Sequence, residues 1–190
     1  MDSKEYESLL KSSKLVIFDL DGTLWNLDVD WRSLKERVFS IFVDMGEEPP
    51  SSLREAHLRA GGDPDLKNRI LKIQSSIEGA SLERSDPVAE GHALLNWRRK
   101  RGMDNALFTS NTIKTVENLV DPGSFKEVVT IDSVAMPKPA PEGLNRIMDR
   151  CGVDSDQTVL LGNSTYDSGA ADAAGIRFID VSNVDMGWFR

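Results

Sequence analysis

Four short polar clusters in this chain each follow an apolar run. Asp19 and Asp21 close Leu15-Val16-Ile17-Phe18 within the string Asp19-Leu20-Asp21-Gly22-Thr23. Thr109-Ser110-Asn111 follows Asn105 to Phe108. Lys138 stands in Pro137-Lys138-Pro139-Ala140-Pro141, downstream of Val128 to Ile131. Gly162-Asn163-Ser164-Thr165-Tyr166-Asp167 follows Thr158 to Leu161. Carboxylates, a hydroxyl and a lysine together suit a phosphate group and a divalent cation. A carboxylate beside a cation and a lysine stays ionised and can attack phosphorus. A second carboxylate two residues on can shuttle the proton of the leaving group.

These residues can work together only if the chain brings the apolar runs side by side. Leu15-Val16-Ile17-Phe18 is short, continuous and apolar, the pattern of a strand buried on both faces. Asn105 to Phe108, Val128 to Ile131, Thr158 to Leu161 and Arg177 to Asp180 read the same way. Helical spacing separates them over Thr112 to Val120, Glu142 to Cys151 and Asp167 to Ala174, the last two ended by Gly152 and Gly175. Residues 3–12 predict a helix before the first strand. Asp86-Pro87 predicts the start of a helix running to Arg101 before the second. This alternation predicts an α/β fold, a Rossmann-like parallel sheet core with helices on both faces. Ligands of such sheets sit beyond the carboxyl ends of the strands, where the polar clusters lie.

The stretch from about 30 to 85 carries no strand signal. Trp31, Leu34, Val38, Ile41, Phe42 and Met45 recur at helical spacing, ended by Gly46 and Pro49-Pro50. Ser52 and Glu55 predict a capping box for a second helix, closed by Gly61-Gly62. Asp63-Pro64 opens a third, with Leu66, Ile70, Ile73 and Ile77 as its apolar stripe and Gly79 as its stop. The expected organisation is a core of residues 1–26 and 86–190 with a small all-helical insert, 27–85, after the first strand.

In this order and spacing the four clusters resemble the four motifs of the haloacid dehalogenase superfamily in its phosphatase form. DxDGT is present as Asp19 to Thr23, the strand-closing hydroxyl as Thr109, and the lysine as Lys138. The acidic GDxxxD motif is present in part, as Gly162, Asn163 and Asp167. The likeness runs from about 14 to 180 and includes Ala170-Ala171-Asp172-Ala173-Ala174-Gly175. It implies that Asp19 is the nucleophile and becomes an aspartyl-phosphate, and that Asp21 is the general acid and base. It implies that Thr109, with Ser110 and Asn111 beside it, and Lys138 bind the phosphoryl group of a small phosphorylated metabolite. Mg2+ is then held by the Asp19 carboxylate, the backbone carbonyl of Asp21, Asn163 and Asp167, the last through water. The helical insert becomes a C1-type mobile cap that supplies substrate contacts.

The departure is Asn163, where the family places a metal-binding aspartate. Asparagine keeps a carbonyl oxygen and loses the charge, a cost on the order of 1–4 kcal/mol beside a cation. Mg2+ typically needs only one or two protein carboxylates plus substrate phosphate. The expectation is an active enzyme with weakened metal affinity. Three other outcomes share the same residues: a phosphomutase, a metal-free dehalogenase, and a phosphate-binding protein without activity. Asp21 argues against dehalogenation, because a halide leaves without a proton.

Several features have plainer structural readings. Asp167 can be the N-cap of the last helix, and Ser110 and Asn111 can cap the helix after the second strand. Arg54, His57, Arg59, Lys67, Arg69 and Lys72 form a basic face expected to be mostly solvated, with Arg59 beside Gly61-Gly62 the candidate to reach a substrate. Arg98-Arg99-Lys100-Arg101 suits the negative end of a helix. Trp188 and Phe189 are expected on a sheet edge or a partner subunit. With 31 acidic against 23 basic residues the net charge is −8, which disfavours nonspecific binding along nucleic acid. No apolar run approaches the ~20 residues of a membrane span, and the polar start of the chain does not resemble a signal peptide. The single cysteine, Cys151, precludes an intrachain disulfide and reads as core. The expectation is a cytoplasmic protein, monomer or homodimer.

Overall fold

The computed structural model describes residues 3–189. Helix α1 (Ser3–Ser12) leads into strand β1 (Leu15–Phe18) and the short strand β2 (Trp25–Asn26). Helices α2 (Trp31–Asp44), α3 (Leu53–Arg59) and α4 (Pro64–Ser81) follow, and the chain returns through β3 (Asp86–Pro87). Then come α5 (Ala89–Arg99), β4 (Asp104–Phe108), α6 (Ile113–Leu119), β5 (Glu127–Val129), α7 (Glu142–Cys151), β6 (Thr158–Gly162), α8 (Thr165–Ala174) and β7 (Arg177–Asp180).

Five strands form one sheet in the order β5-β4-β1-β6-β7, and every pairing is parallel. Phe18 stands opposite Leu107 on one side and Leu161 on the other, so the ends of the three central strands are level. Side chains of a strand alternate between faces, and β1 divides accordingly. Val16 and Phe18 join Leu10 of α1, Leu94 of α5 and Val116 of α6. Leu15 and Ile17 join Leu144 and Ile147 of α7 and Ala170 and Ala171 of α8. Both faces are thus covered, which explains why the strands read as unbroken apolar runs. The chain builds β4 and β5 on one side of β1 before crossing to β6 and β7, so the sheet switches direction beside β1.

Helices α2 to α4 enclose a separate apolar cluster of Leu34, Val38, Phe42, Ala56 and Ile70, among others. Asp30 and Asp63 cap α2 and α4, the latter accepting from the N–H groups of Asp65 and Leu66. The capping box at α3 is half formed. Ser52 accepts from the Glu55 N–H, while the Glu55 carboxylate turns to Ser51 instead.

Several local expectations are corrected. Asp86-Pro87 does not start a helix; it pairs antiparallel with Trp25–Asn26, and the two segments joining the helical layer to the sheet thereby hold each other. The helix begins at Ala89 and ends at Arg99. Gly79 does not stop α4, which continues to Ser81. Gly79 is exposed, with open space where a Cβ would point, so it costs the helix only its entropic penalty of ~1 kcal/mol. The third strand ends at Val129, where Thr130 caps a single 3-10 turn over Ile131–Ser133. Trp188 and Phe189 pack against the body of the protein, Phe189 with its ring centre 5.7 Å from that of Trp97 in α5. Arg98 lies in the last turn of α5, as expected, but it is fully buried, and its guanidinium donates to the carbonyls of Leu10, Ser13, Lys14 and Asp104 and to Asn105 Oδ1.

Candidate active site

The carboxyl ends of β1, β4 and β6 open into a cavity of about 460 Å³. Asp19, Asp21, Thr109, Ser110, Asn111, Lys138, Asn163 and Asp167 all line it, so the structure brings every predicted site residue together.

Asp19 extends β1 by one residue, its N–H donating to the Leu161 carbonyl at 2.9 Å. Lys138 donates to Asp19 Oδ1 at 2.8 Å and to Asp167 Oδ1 at 2.6 Å, and its ammonium lies 4.7 Å from the centre of the Phe108 ring. Burial works against the Lys138 charge, but the two carboxylates outweigh it and hold the ammonium above its ordinary range. Burial pushes the Asp19 carboxyl up to about 6, with Lys138 pulling it down and Asp167 adding to the rise. Burial also acts on Asp167, but Lys138 and the Ser164 donors prevail and keep its carboxyl below the usual value.

Asp167 is not the N-cap of α8. Ser164 is, and Asp167 is the partner in its capping box. Asp167 Oδ2 accepts from the Ser164 hydroxyl at 2.6 Å and from the N–H groups of Ser164 and Asn163. Both Asp167 oxygens thus already accept from protein donors. Gly162 makes room for this arrangement, since a Cβ there would lie 2.7 Å from Asp167 atoms.

Asp21 is carried on a tight loop in which Gly22 adopts a φ of +75°. A Cβ at Gly22 would fall 1.8 Å from Asn163 Nδ2, so the loop after β6 closes directly on the loop after β1. Asp21 Oδ1 accepts from the Leu27 N–H at 3.0 Å. Burial pushes the Asp21 carboxyl up to about 6; the Leu27 bond opposes the rise and the Glu78 carboxylate adds to it.

Thr109 ends β4, donating its hydroxyl to Asn111 Oδ1 at 2.8 Å and accepting from the Asn111 N–H. Neither Ser110 nor Asn111 caps α6; its N-cap is Thr112, and the cap is completed from outside by Glu78 of α4. The helical layer contributes Trp31, Lys35, Ser52, Leu53, Arg54, His57 and Gln74 to the cavity. Arg59, the expected substrate contact, turns away to Glu47 and the Glu48 carbonyl and stacks on Phe42. Arg54 and His57 face the cavity in its place. Glu78 and Gln74 had no signal in the sequence beyond sitting four residues apart, on one face of a helix.

Among the described residues no three His, Cys, Asp or Glu side chains converge as a metal site. The donors available beside the cavity are oxygens: the Asp19 carboxylate, the Asp21 carbonyl and the Asn163 side chain. That is the donor type Mg2+ takes. Burial raises both Asp19 and Asp21 to about 6, although Asp19 is already paired with Lys138. The donor set fits a divalent cation, with less protein charge than a site bearing aspartate at 163.

Comparison with known proteins gives the family. The profile of the haloacid dehalogenase-like hydrolase family matches residues 16–181. The phosphoglycolate phosphatase of Pseudomonas putida is 28% identical over 89% of this chain and 69% of its own length. That of Pseudomonas syringae pv. tomato is 30% identical over 94% of this chain and 73% of its own. Among solved structures, a hydrolase from Pseudomonas syringae superposes with a TM-score of 0.62 at 20% identity, covering 92% of this chain and 87% of its own. CbbY from Rhodobacter sphaeroides, in complex with phosphate, gives 0.61 at 19% identity, covering 88% and 85%. The chain belongs to the haloacid dehalogenase-like hydrolase family. Within it, the chain is a phosphoric monoester hydrolase.

Proposed function

We propose that the protein is a Mg2+-dependent phosphatase that hydrolyses a small phosphomonoester through an aspartyl-phosphate at Asp19. The observation that carries this is the Asp19, Lys138 and Asp167 ion-pair chain sharing one cavity with Asp21 and Thr109. In the first half-reaction an Asp19 oxygen bonds to phosphorus as the bond from phosphorus to the leaving oxygen breaks. Asp21 hands its proton to that oxygen, so the alcohol leaves neutral. In the second half Asp21, now a carboxylate, takes a proton from the attacking water. Inorganic phosphate departs and Asp19 is restored.

Lys138 neutralises the incoming phosphoryl group and keeps it against Asp19. Thr109, released from Asn111, donates to a phosphoryl oxygen, with Ser110 beside it. Asp19, the Asp21 carbonyl and Asn163 would hold the Mg2+, with Asp167 reaching it through water. Bound Mg2+ supplies positive charge against the phosphate oxygens. Residues 27–85 act as the cap, because α2 to α4 line the cavity and carry Lys35 and Arg54, cations that attract a phosphorylated substrate. The phosphoglycolate phosphatases among the relatives point to substrates of a few carbons. A carboxyl at about 6 for Asp21 favours an alcohol leaving group over a halide. The lone buried thiol of Cys151 suits a reducing cytoplasm.

The test is release of phosphate from p-nitrophenyl phosphate over a Mg2+ series. Activity is expected to need Mg2+ and to vanish in Asp19→Asn. Borohydride reduction during turnover is expected to mark Asp19. Folded protein that releases no phosphate at any Mg2+ concentration overturns the proposal. Transfer of the phosphoryl group to a second hydroxyl of the same compound, without free phosphate, would instead identify a mutase.

A further inference from the structure

Glu78 of α4 is fully buried and accepts from five neutral donors: Gln74 Nε2, Asn111 Nδ2, the Thr112 N–H and hydroxyl, and the Thr115 hydroxyl. The consequence runs outward along α4. Gln74 Nε2 donates to Glu78 Oε1 at 2.8 Å and to the Ser110 carbonyl at 2.9 Å, which uses both of its hydrogens. The Gln74 amide can therefore face His57 only with its oxygen. His57 Nε2 lies 2.9 Å from that oxygen and must be the protonated nitrogen. In a neutral imidazole this leaves Nδ1 as a bare acceptor. His57 Nδ1 is buried and has no hydrogen-bond partner among the described residues. The ring is only 7% exposed and lines the same cavity as Asp19, Asp21, Thr109 and Lys138.

Burial disfavours the imidazolium, and nearby Lys67 adds to this against the Gln74 bond and Asp132. No acidic side chain of the helical layer lines the cavity to restore the charge. An acceptor that is buried and unpaired is costly until a donor reaches it. Among the described residues none donates to it, and Arg54 Nε, three residues before it on α3, is likewise without a partner, so the acceptor stands open to a donor carried by the substrate.

We propose that His57 Nδ1 is the specificity-determining acceptor for a hydroxyl on the leaving-group side of the substrate, with Gln74 and Glu78 as positioning residues that fix its tautomer. The inference rests on the phosphatase reading above. It directs that reading to hydroxylated esters, polyol or sugar phosphates, over acids such as phosphoglycolate that carry no hydroxyl.

The experiment compares phosphate release from pairs differing by one hydroxyl, 3-hydroxypropyl phosphate with propyl phosphate and ribose 5-phosphate with 2-deoxyribose 5-phosphate. Phosphoglycolate and p-nitrophenyl phosphate serve as references. The wild type is expected to prefer the hydroxylated member of at least one pair by about tenfold or more in kcat/KM. His57→Phe is expected to erase that preference, read as the ratio of kcat/KM within each pair, which a general loss of activity does not move. His57→Gln, which can still donate to Gln74, replaces it should the phenylalanine variant misfold. Gln74→Leu is expected to lose the same preference. Nitrogen-15 NMR of wild-type protein near neutral pH gives a readout without turnover: His57 Nδ1 should be the unprotonated nitrogen. A protonated Nδ1, or an equal preference in wild type and His57 variants, overturns the proposal. Absence of turnover on p-nitrophenyl phosphate strikes instead at the phosphatase reading, and leaves the NMR result to judge the tautomer.

Discussion

Burial, with the Glu78 carboxylate adding to it, outweighs the backbone N–H groups of Leu27 and Gly22, which is why the Asp21 carboxyl stands near 6 rather than its ordinary 3.8. A carboxyl raised on folding destabilises the fold wherever the unfolded chain is ionised. The penalty is absent below about 3.8 and complete above about 6. Asp21→Asn is therefore expected to lower kcat by ~10²–10⁴ and yet to stabilise the metal-free protein at pH 7.5. Allowing for its partial exposure, the gain is on the order of 1–2 kcal/mol, or roughly 2–8 °C in Tm at this chain length. Thermal melts should show the gain fading toward pH 4. Asn163 makes the opposite kind of trade, giving up a charge at the loop that meets Gly22. Asn163→Asp is expected to shift the Mg2+ dependence of activity to concentrations about tenfold lower or more. An unchanged Mg2+ titration would show that residue 163 does not face the ion.

Helix α8 holds the site as much as it covers the sheet. Its N-cap, Ser164, both accepts from the Asp167 N–H and donates to Asp167 Oδ2, so one hydroxyl starts the helix and aims the carboxylate that holds Lys138. Ser164→Ala is expected to cost ~1 kcal/mol in denaturant unfolding. It is also expected to lower kcat, with Ser164→Thr restoring both. The elements that misled from sequence did so for local reasons. Asp-Pro is a good helix start, but at Asp86 the neighbouring strand Trp25–Asn26 offers a pairing that the dipeptide alone cannot reveal. Gly79 is a good helix stop, but Glu78 and Ser81 on either side are buried and bonded, and they carry α4 past it.

Arg98 ties distant parts of the molecule together. Its guanidinium satisfies carbonyls at the end of α1, in the turn before β1 and at the start of β4. Arg98→Met fills much of the same volume and leaves those carbonyls buried without donors. It is expected to destabilise by about 3 kcal/mol, seen as a Tm lower by roughly 6–12 °C. Turnover measured well below the melting range should change little, because Arg98 does not line the cavity. At the same scale, the helical layer meets the sheet side through Leu71 packed on the apolar cluster and through polar contacts: Gln74 to the Ser110 carbonyl, Lys67 to the Val134 carbonyl, and Glu78 to α6.

The sequence by itself determined most element types, the parallel sheet and the polar residues that follow its strands. Strand and helix periods, caps and strand-end polar residues are rules acting within a few positions, so Asp19, Asp21, Thr109, Lys138 and Asp167 could be read directly. What only the tertiary structure decided is which polar groups are buried and by whom they are satisfied. Lys138 meets Asp19 across 119 positions, Arg98 meets Leu10 across 88, and Glu78 meets Thr112 across 34. The cost of burying such a group is set by partners that no local pattern encodes. For that reason His57 looked like one more solvated base in the sequence and is, in the folded chain, a buried ring whose Nδ1 has no partner among the described residues and which lines the cavity with Asp19.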